Sequence, residues 1–220
     1  MDNQDFEKYA VIKPFNEKIS NNWELAANDA LARIKTSKDS IRILDYGCGD
    51  GKYFPFFVKK GFSPTNVFGL EVSQIRINRC KDIGWNNVKL VHENSPFPYN
   101  DSYFDVINCM EVIEHIPINE AKSTIARLRK LLRPGGCLII STPNYPIKRF
   151  YDLYDALIHR KYNRFKDDPT HVTRFTHFRL RSILKLHFVK IENRMFKAGF
   201  LYKYFAFEYF KHKIFFLCQA

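Results

Sequence analysis

The sequence predicts a doubly wound α/β fold, in which a mainly parallel seven-stranded sheet carries helices on both faces. Three observations predict it. The chain has 220 residues, 45% of them hydrophobic, which suits one large globular domain over 1–220. Short apolar runs alternate with segments of helical length, as in right-handed strand–helix–strand units. A glycine-rich turn follows the first apolar run and precedes a helical segment.

The first half of the chain supplies a leading helical segment, residues 1–38, and two strand–helix units. Apolar residues between 16 and 34 recur at steps of three and four, which predicts a helix with one buried face. Ser73 is a plausible N-cap for the second unit's helix. The two units comprise a strand over 41–44, a helix over 52–60, a strand over 67–72 and a helix over 74–83.

The second half completes the sheet. Asn119 is predicted to cap a helix over 120–132, which Pro134-Gly135-Gly136 ends, and Thr176 to cap a helix ending near 186. Between them, residues 145–175 break the pattern and are predicted to form an insertion or lid over the carboxyl edge of the sheet. The remaining strands are predicted over 88–92, 104–110, 137–141, 188–196 and 213–218.

The composition indicates a globular protein that favours anionic partners or substrates. Thirty-five Lys and Arg against 23 Asp and Glu give a net charge of +12. Five widely spaced cysteines without a C-x-x-C pair suit a reducing compartment. The amino-terminal residues do not resemble a signal peptide, and no run approaches the ~20 apolar residues of a membrane span. We therefore expect a cytoplasmic protein without a membrane span.

The glycine-rich turn is the strongest functional signal. Asp45-Tyr46-Gly47-Cys48-Gly49-Asp50-Gly51 has the spacing G-x-G-x-G, which differs from the G-x-G-x-x-G of dinucleotide binders. Glycines there let the backbone turn tightly and approach a ligand. Glu71 ends the second strand, where a carboxylate can accept hydrogen bonds from both ribose hydroxyls. The alternative is a structural glycine turn with a surface glutamate.

These motifs resemble the class I S-adenosylmethionine-dependent methyltransferase family, most clearly over residues 40–145, where 96–105 and 132–136 also match. The resemblance implies a Rossmann-like fold with S-adenosylmethionine as cofactor. It implies that the glycine loop holds the amino-acid portion and Glu71 the ribose. The family's acid for the adenine amino group has no clean match here, and Glu93 or Asn94 is the nearest candidate. The predicted cofactor residues are Asp45, Gly47, Cys48, Gly49, Gly51, Glu71, Glu93, Asn94 and Met110.

A second group of polar residues follows the fourth strand. On a helical turn Glu111, Glu114 and His115 would share one face. The segment is similar to the E-x-x-E-H pattern of ubiquinone-pathway O-methyltransferases and small-RNA 2′-O-methyltransferases, whose later His matches His171. That similarity implies a divalent metal (Mg, Mn or Zn) on Glu111, Glu114, His115 and His171. The alternative is metal-free catalysis, with His115 as general base and Glu111 beside it near the methyl group.

The lid carries a local excess of positive charge, with nine basic against four acidic residues between 144 and 181, interleaved with aromatic side chains. This pattern is typical either of a solvated face or of a surface that recognises phosphate, carboxylate or nucleic acid. Residues 142–144 and 170–172 also resemble bacterial surface-sugar methyltransferases. We predict O-methylation of a small or glycan-type, anionic metabolite. The alternatives are an RNA 2′-O-methyltransferase with a divalent metal, and a catalytically silent partner subunit. The sequence leaves the acceptor and the oligomeric state open.

Overall fold

The computed structural model describes residues 3–12, 18–92, 95–160, 168, 170–194 and 212–220. It confirms the predicted α/β class. The seven-stranded sheet has the order β3-β2-β1-β4-β5-β7-β6. Strands β1 to β5 pair in parallel, and β7 runs antiparallel to both β5 and β6. The strands are β1 Ile43–Tyr46, β2 Val67–Glu71, β3 Val88–Leu90, β4 Phe104–Met110, β5 Leu132–Pro143, β6 Lys190–Asn193 and β7 Lys213–Gln219.

Two apolar cores, one on each side of the sheet, hold the helices in place. One contains Ile125 and Leu128 from α5 together with Leu180 from α7. The other contains Trp23 from α2 and Phe57 from α3. Burial on both faces explains why the central strands read as continuous apolar runs. The helices are α1 Asn3–Ile12, α2 Asn21–Arg33, α3 Phe54–Lys59, α4 Gln74–Asp82, α5 Ile118–Leu131, α6 Ile147–His159 and α7 His177–Leu184. None of these helices is long and apolar enough to cross a membrane.

Two of the three predicted helix caps form. The Ser73 hydroxyl accepts from the Arg76 N–H, and the Thr176 hydroxyl accepts from the Arg179 N–H. The prediction for Asn119 was wrong, because Pro117 occupies the N-cap and Asn119 lies inside α5. The fixed φ of proline leads the chain directly into the helix at that point.

The end of α5 also differs from the prediction. The helix stops at Leu131, and residues 132–136 already belong to β5. Leu132 pairs with Phe104 across a register shift, and the Arg133 guanidinium donates to Asp105 at 3.0 Å. Pairing with β4 therefore extends the strand backwards through Pro134-Gly135-Gly136, which sequence periodicity could not reveal.

The lid contains a helix that was not predicted. Helix α6 covers most of the first half of 145–175, whereas 161–167 and 169 lie outside the described residues. Its apolar positions do recur at helical spacing, but charged residues interrupt them. Within the leading segment, α1 was likewise not predicted separately from α2. Strand β6 was predicted over 188–196 and spans Lys190–Asn193 in the structure. Residues 195–196 lie outside the described residues.

Candidate active site

A cavity of about 940 Å³ opens at the carboxyl edge of the sheet. Its floor is formed where β1 and β4 end side by side, which is where ligands bind in open α/β sheets. Its walls come from α1 and from the lid helix α6. The cavity runs from the glycine loop to His115 and His171, so it joins both groups of residues that the sequence singled out.

The glycine loop adopts a backbone that favours glycine. Gly47, Gly49 and Gly51 have φ values of 69°, 56° and 81°, in the left-handed region. The Gly47 N–H donates to the Leu70 carbonyl at 2.8 Å, which ties the loop to β2. A Cβ added at Gly47 would lie 2.5 Å from a methyl carbon of Val112. The loop is therefore closely packed on one side and open to the cavity on the other.

The Glu71 carboxylate is buried and organises this loop. One oxygen accepts from the Gly49 N–H at 2.7 Å, and the other accepts from the N–H groups of Val72 at 2.9 Å and Ser73 at 3.1 Å. Burial raises the pKa of Glu71, although these hydrogen bonds oppose the rise. The carboxylate retains acceptor capacity toward the cavity, chiefly on Oε2, because Oε1 already accepts from two N–H groups.

Asp45 is buried at the end of β1. Its Oδ1 accepts from the Asn108 amide at 2.6 Å, and its Oδ2 has no hydrogen-bond partner among the described residues. Burial raises the pKa of Asp45 to about 7. A buried carboxylate oxygen without a donor is costly unless a ligand supplies one, so this position suits a cationic group.

Asn108 and Trp23, neither of which was predicted as a site residue, hold Asp45 in place. The Trp23 indole N–H donates to the Asn108 amide oxygen at 2.7 Å. Because indole only donates, the Asn108 amide must turn its NH₂ group toward Asp45. The available signal was a polar asparagine within the apolar run of β4, between Ile107 and Cys109. The structure places it directly opposite Asp45 in register.

We expect Asn108→Leu to destabilise the protein by about 3 kcal/mol, because it leaves the Trp23 N–H and Asp45 Oδ1 buried without partners. This corresponds to a melting temperature lower by roughly 5 to 10 °C. Chemical denaturation and calorimetry measure the effect. Asn119→Leu, at an exposed position on α5, is the matched control and should change stability little. An unchanged melting temperature in Asn108→Leu would contradict this account.

Helix α1 forms a wall of the cofactor end of the cavity. Its Glu7 carboxylate accepts from the Ser73 hydroxyl at 2.7 Å and from the Gln74 N–H at 2.6 Å, at the beginning of α4. Burial acts to raise the pKa of Glu7, but these hydrogen-bond donors outweigh burial and lower the pKa. Phe6 and Tyr9 from the same helix line the cavity. A contact between residues more than sixty positions apart has no local sequence signal.

At the other end of the cavity, Glu114, His115 and His171 come together. Each offers one possible ligand atom, and these atoms lie within 4.8 Å of one another. The buried Glu114 accepts from the Thr142 hydroxyl at 3.0 Å through Oε2, and its Oε1 has no partner within the described part of the chain. Burial, reinforced by the nearby Glu111, raises the pKa of Glu114 well above its usual value.

Glu111 is not among the three described residues whose ligand atoms cluster, whereas the predicted set had four members. Its backbone has φ 58°, so the helical turn predicted over 111–115 does not form, and only Ile113–His115 makes a short 3₁₀ turn. Its carboxylate accepts from the Ser141 hydroxyl at 2.6 Å and the Lys213 ammonium at 2.9 Å. Burial acts to raise the pKa of Glu111, but the nearby Lys213 ammonium lowers it below its usual value. Lys213, from the last strand, was not predicted as a site residue.

The other predicted cofactor residues Cys48 and Met110 line the cavity, whereas Glu93 and Asn94 lie outside the described residues. The positive charge expected near the acceptor is largely neutralised in the described wall. Arg76 pairs with Asp50 at 3.3 Å, and Lys148 pairs with Asp152 at 2.6 Å. Carboxylates outnumber basic side chains among the described lining residues.

Comparisons with known proteins agree with this geometry. A family model described as a methyltransferase domain matches residues 15–187. A protein of Colwellia psychrerythraea named ubiquinone biosynthesis O-methyltransferase is 31% identical over 137 residues, covering 60% of this chain and 52% of that protein. A protein of the same name from Rickettsia bellii is 30% identical over 154 residues, covering 61% and 62%. The chain thus spans about half to three fifths of the length of these curated relatives.

Solved structures share the fold. A methyltransferase from Archaeoglobus fulgidus, described as S-adenosylmethionine-dependent, has a TM-score of 0.66 at 17% identity, covering 91% of this chain and 95% of its own. One from Aquifex aeolicus has a TM-score of 0.59 at 16% identity, covering 100% and 98%. At such identities the likeness shows the fold alone. Taken with the matched domain, the glycine loop and Glu71, it establishes that the chain belongs to the class I S-adenosylmethionine-dependent methyltransferase family.

Proposed function

We propose that this chain transfers the methyl group of S-adenosylmethionine to a hydroxyl oxygen of a small molecule. The observation that supports it most is the continuous cavity, which has the glycine loop and Glu71 at one end and His115 at the other. S-adenosylmethionine supplies a methyl group on a sulfonium, already a good leaving group. The protein then has to align the acceptor, exclude water and accept a proton.

The residues at the cofactor end fit this ligand. Asp45 Oδ2, which has no hydrogen-bond partner in the described part of the chain, suits the ammonium of the amino-acid portion. The Glu71 carboxylate suits two ribose hydroxyls, while the open side of the glycine loop allows close backbone approach. Cys48 and Met110 are proposed as further wall contacts of the cofactor.

At the acceptor end, His115 is the proposed general base, and Glu111 is proposed to lie beside the acceptor, fixed by Lys213. The relatives' printed name supports oxygen as the acceptor atom. An anionic acceptor, predicted from the net charge, gains no support from the described cavity wall, where acidic side chains outnumber basic ones. A glycan-type acceptor rests on the resemblance of residues 142–144 and 170–172 to surface-sugar methyltransferases. The anionic or glycan-type acceptor stays a prediction, and such acceptors are to be assayed beside neutral ones.

The second candidate is metal-assisted transfer. The clustered ligand atoms of Glu114, His115 and His171 fit Mg, Mn or Zn by ligand type. Glu114 Oε1, for which the described residues supply no hydrogen-bond partner, adds to this fit. A bound cation would lower the pKa of an acceptor hydroxyl. Glu111 would contribute only after leaving Lys213. The same cluster would serve the RNA 2′-O-methyltransferase alternative.

The test is methyl transfer from labelled S-adenosylmethionine to three panels: neutral phenols and sugars, hydroxylated carboxylates and sugar phosphates, and bulk RNA. We expect transfer to a small-molecule panel. Transfer confined to RNA, with binding that weakens steeply as salt rises, would favour the nucleic-acid alternative. Tight binding of S-adenosylhomocysteine without transfer to any panel would favour a silent partner subunit.

Cofactor affinity should depend on pH through Asp45. Its pKa of about 7 in the empty site is above that of a free carboxyl, so the charged form that attracts an ammonium is lost as pH falls below about 7. We expect affinity for S-adenosylhomocysteine to fall by up to about tenfold per pH unit below that point and to level off above it. Calorimetry between about pH 6 and 8 measures this. Asp45→Asn should reduce the dependence of this affinity on pH. An equal dependence in the variant would show that a group other than Asp45 causes it.

A further inference from the structure

His115 is held from one side by a short chain of hydrogen bonds. Its Nδ1 lies 2.9 Å from the Thr170 hydroxyl oxygen and 3.2 Å from the Thr170 carbonyl oxygen. The Thr170 hydroxyl in turn donates to Asp168 Oδ1 at 2.6 Å. His115 follows strand β4, whereas Thr170 and Asp168 belong to the lid segment, more than fifty positions further along the chain.

The number of available protons determines which atom donates and which accepts in these hydrogen bonds. A carboxylate accepts only, so the single hydroxyl proton of Thr170 belongs to the contact with Asp168. The Thr170 oxygen must then accept from His115. The Thr170 carbonyl also accepts only, and it contacts the same ring nitrogen. Both contacts therefore require the proton of a neutral His115 to reside on Nδ1, with the lone pair on Nε2.

Two further donors among the described residues hold Asp168. The Thr170 backbone N–H donates to Oδ1 at 3.1 Å, which closes a local turn. The Tyr9 hydroxyl donates to Oδ2 at 3.0 Å from helix α1. The Arg76 guanidinium lies over the Tyr9 ring, 5.8 Å from its centroid. The helix that walls the cofactor end thus also holds the residue that orients His115.

We infer that Asp168 is a positioning residue which acts through Thr170 to fix the tautomer of His115 and to present a basic Nε2 to the cavity. The catalytic role of this tautomer rests on the proposed function, because a general base and a metal ligand both require a lone pair on Nε2. The tautomer itself is a property of the protein alone and can be observed without substrate.

The experiment is long-range ¹H–¹⁵N correlation NMR on the full chain, without ligand, labelled at its seven histidines. The spectrum of His115→Gln identifies the His115 signals by their loss. We expect a pyrrole-type Nδ1 and a pyridine-type Nε2 at His115. A predominant Nε2–H form in the wild type would overturn the inference, whether or not methyl transfer is found.

Variants separate positioning from simple packing. In Asp168→Ala the Thr170 hydroxyl loses its acceptor and can donate its proton to His115 Nδ1, so we expect the Nδ1 signal to move toward the pyridine-type value. Thr170→Val, which interrupts the hydrogen bonds with a side chain of similar shape, should shift the signal in the same direction, and Thr170→Ser should not. Asp155→Ala removes a carboxylate from the cavity wall in the same way and is the control. Wild-type His115 signals in both Asp168→Ala and Thr170→Val would overturn the inference. Circular dichroism confirms that the variants are folded, and Thr170→Val provides the test if Asp168→Ala is not folded.

Discussion

Replacing Glu71 by alanine is expected to weaken binding of S-adenosylhomocysteine by about 10² to 10⁴-fold. The variant removes two charge-assisted hydrogen bonds to the ribose, worth about 1.5 to 3 kcal/mol each. It also releases the N–H groups of Gly49, Val72 and Ser73, which Glu71 holds in position. Isothermal titration calorimetry measures the loss directly.

Two further variants make this result specific. Glu71→Gln keeps one acceptor oxygen, so its affinity should lie between those of the wild type and Glu71→Ala. Glu24→Ala removes an exposed carboxylate on α2 and should bind as the wild type does. Unchanged affinity in Glu71→Ala, or tight binding of a nicotinamide dinucleotide instead, would refute the cofactor assignment.

Replacing His115 by alanine is expected to lower the rate of methyl transfer by about 10² to 10⁴-fold, because the acceptor loses its base. Affinity for S-adenosylhomocysteine should change little, since Asp45, Glu71 and the glycine loop are intact. Rates with the acceptor found in the screen, together with calorimetry, measure the two effects. His92→Ala, at an exposed histidine, is the control. Loss of cofactor binding in His115→Ala would instead indicate a structural role.

The same assay distinguishes base catalysis from metal assistance. If Glu114, His115 and His171 hold a cation, then His171→Ala and Glu114→Gln should each slow transfer about as much as His115→Ala, because each removes one ligand from a shared site. Chelator should abolish activity, and added Mn should restore it. A His171→Ala enzyme with wild-type rate and insensitivity to chelator would leave His115 as a base alone. Calorimetric titration of Mn into both proteins provides a readout that needs no acceptor.

The sheet and the cofactor end of the site follow closely from the sequence. Every strand of the sheet overlaps a predicted one, and β4 was predicted with its exact bounds. The central parallel strands are buried on both faces of the sheet, so they read as apolar runs. The glycine loop was predictable because left-handed backbone at Gly47, Gly49 and Gly51 selects residues without a side chain. These features are local, so a short window of sequence contains the whole physical cause.

The acceptor end was only partly predictable. The resemblance indicated Glu111, Glu114, His115 and His171 as one set, but a left-handed residue at Glu111 turns its carboxylate to Ser141 and Lys213. Helical spacing assumes a regular backbone, and a single residue outside the helical region is enough to separate side chains that a helical wheel would bring together.

By itself the sequence determined the fold class, the glycine loop with Glu71 and the histidines that face it across the cavity. Only the tertiary structure decided what surrounds them: Asn108 and Trp23 behind Asp45, Glu7 at the beginning of α4, and Asp168 and Tyr9 behind His115. The physical reason is distance along the chain. Tyr9 and Asp168 lie 159 positions apart, and hydrogen bonds between such residues depend on how the helices and strands pack, which no local pattern encodes.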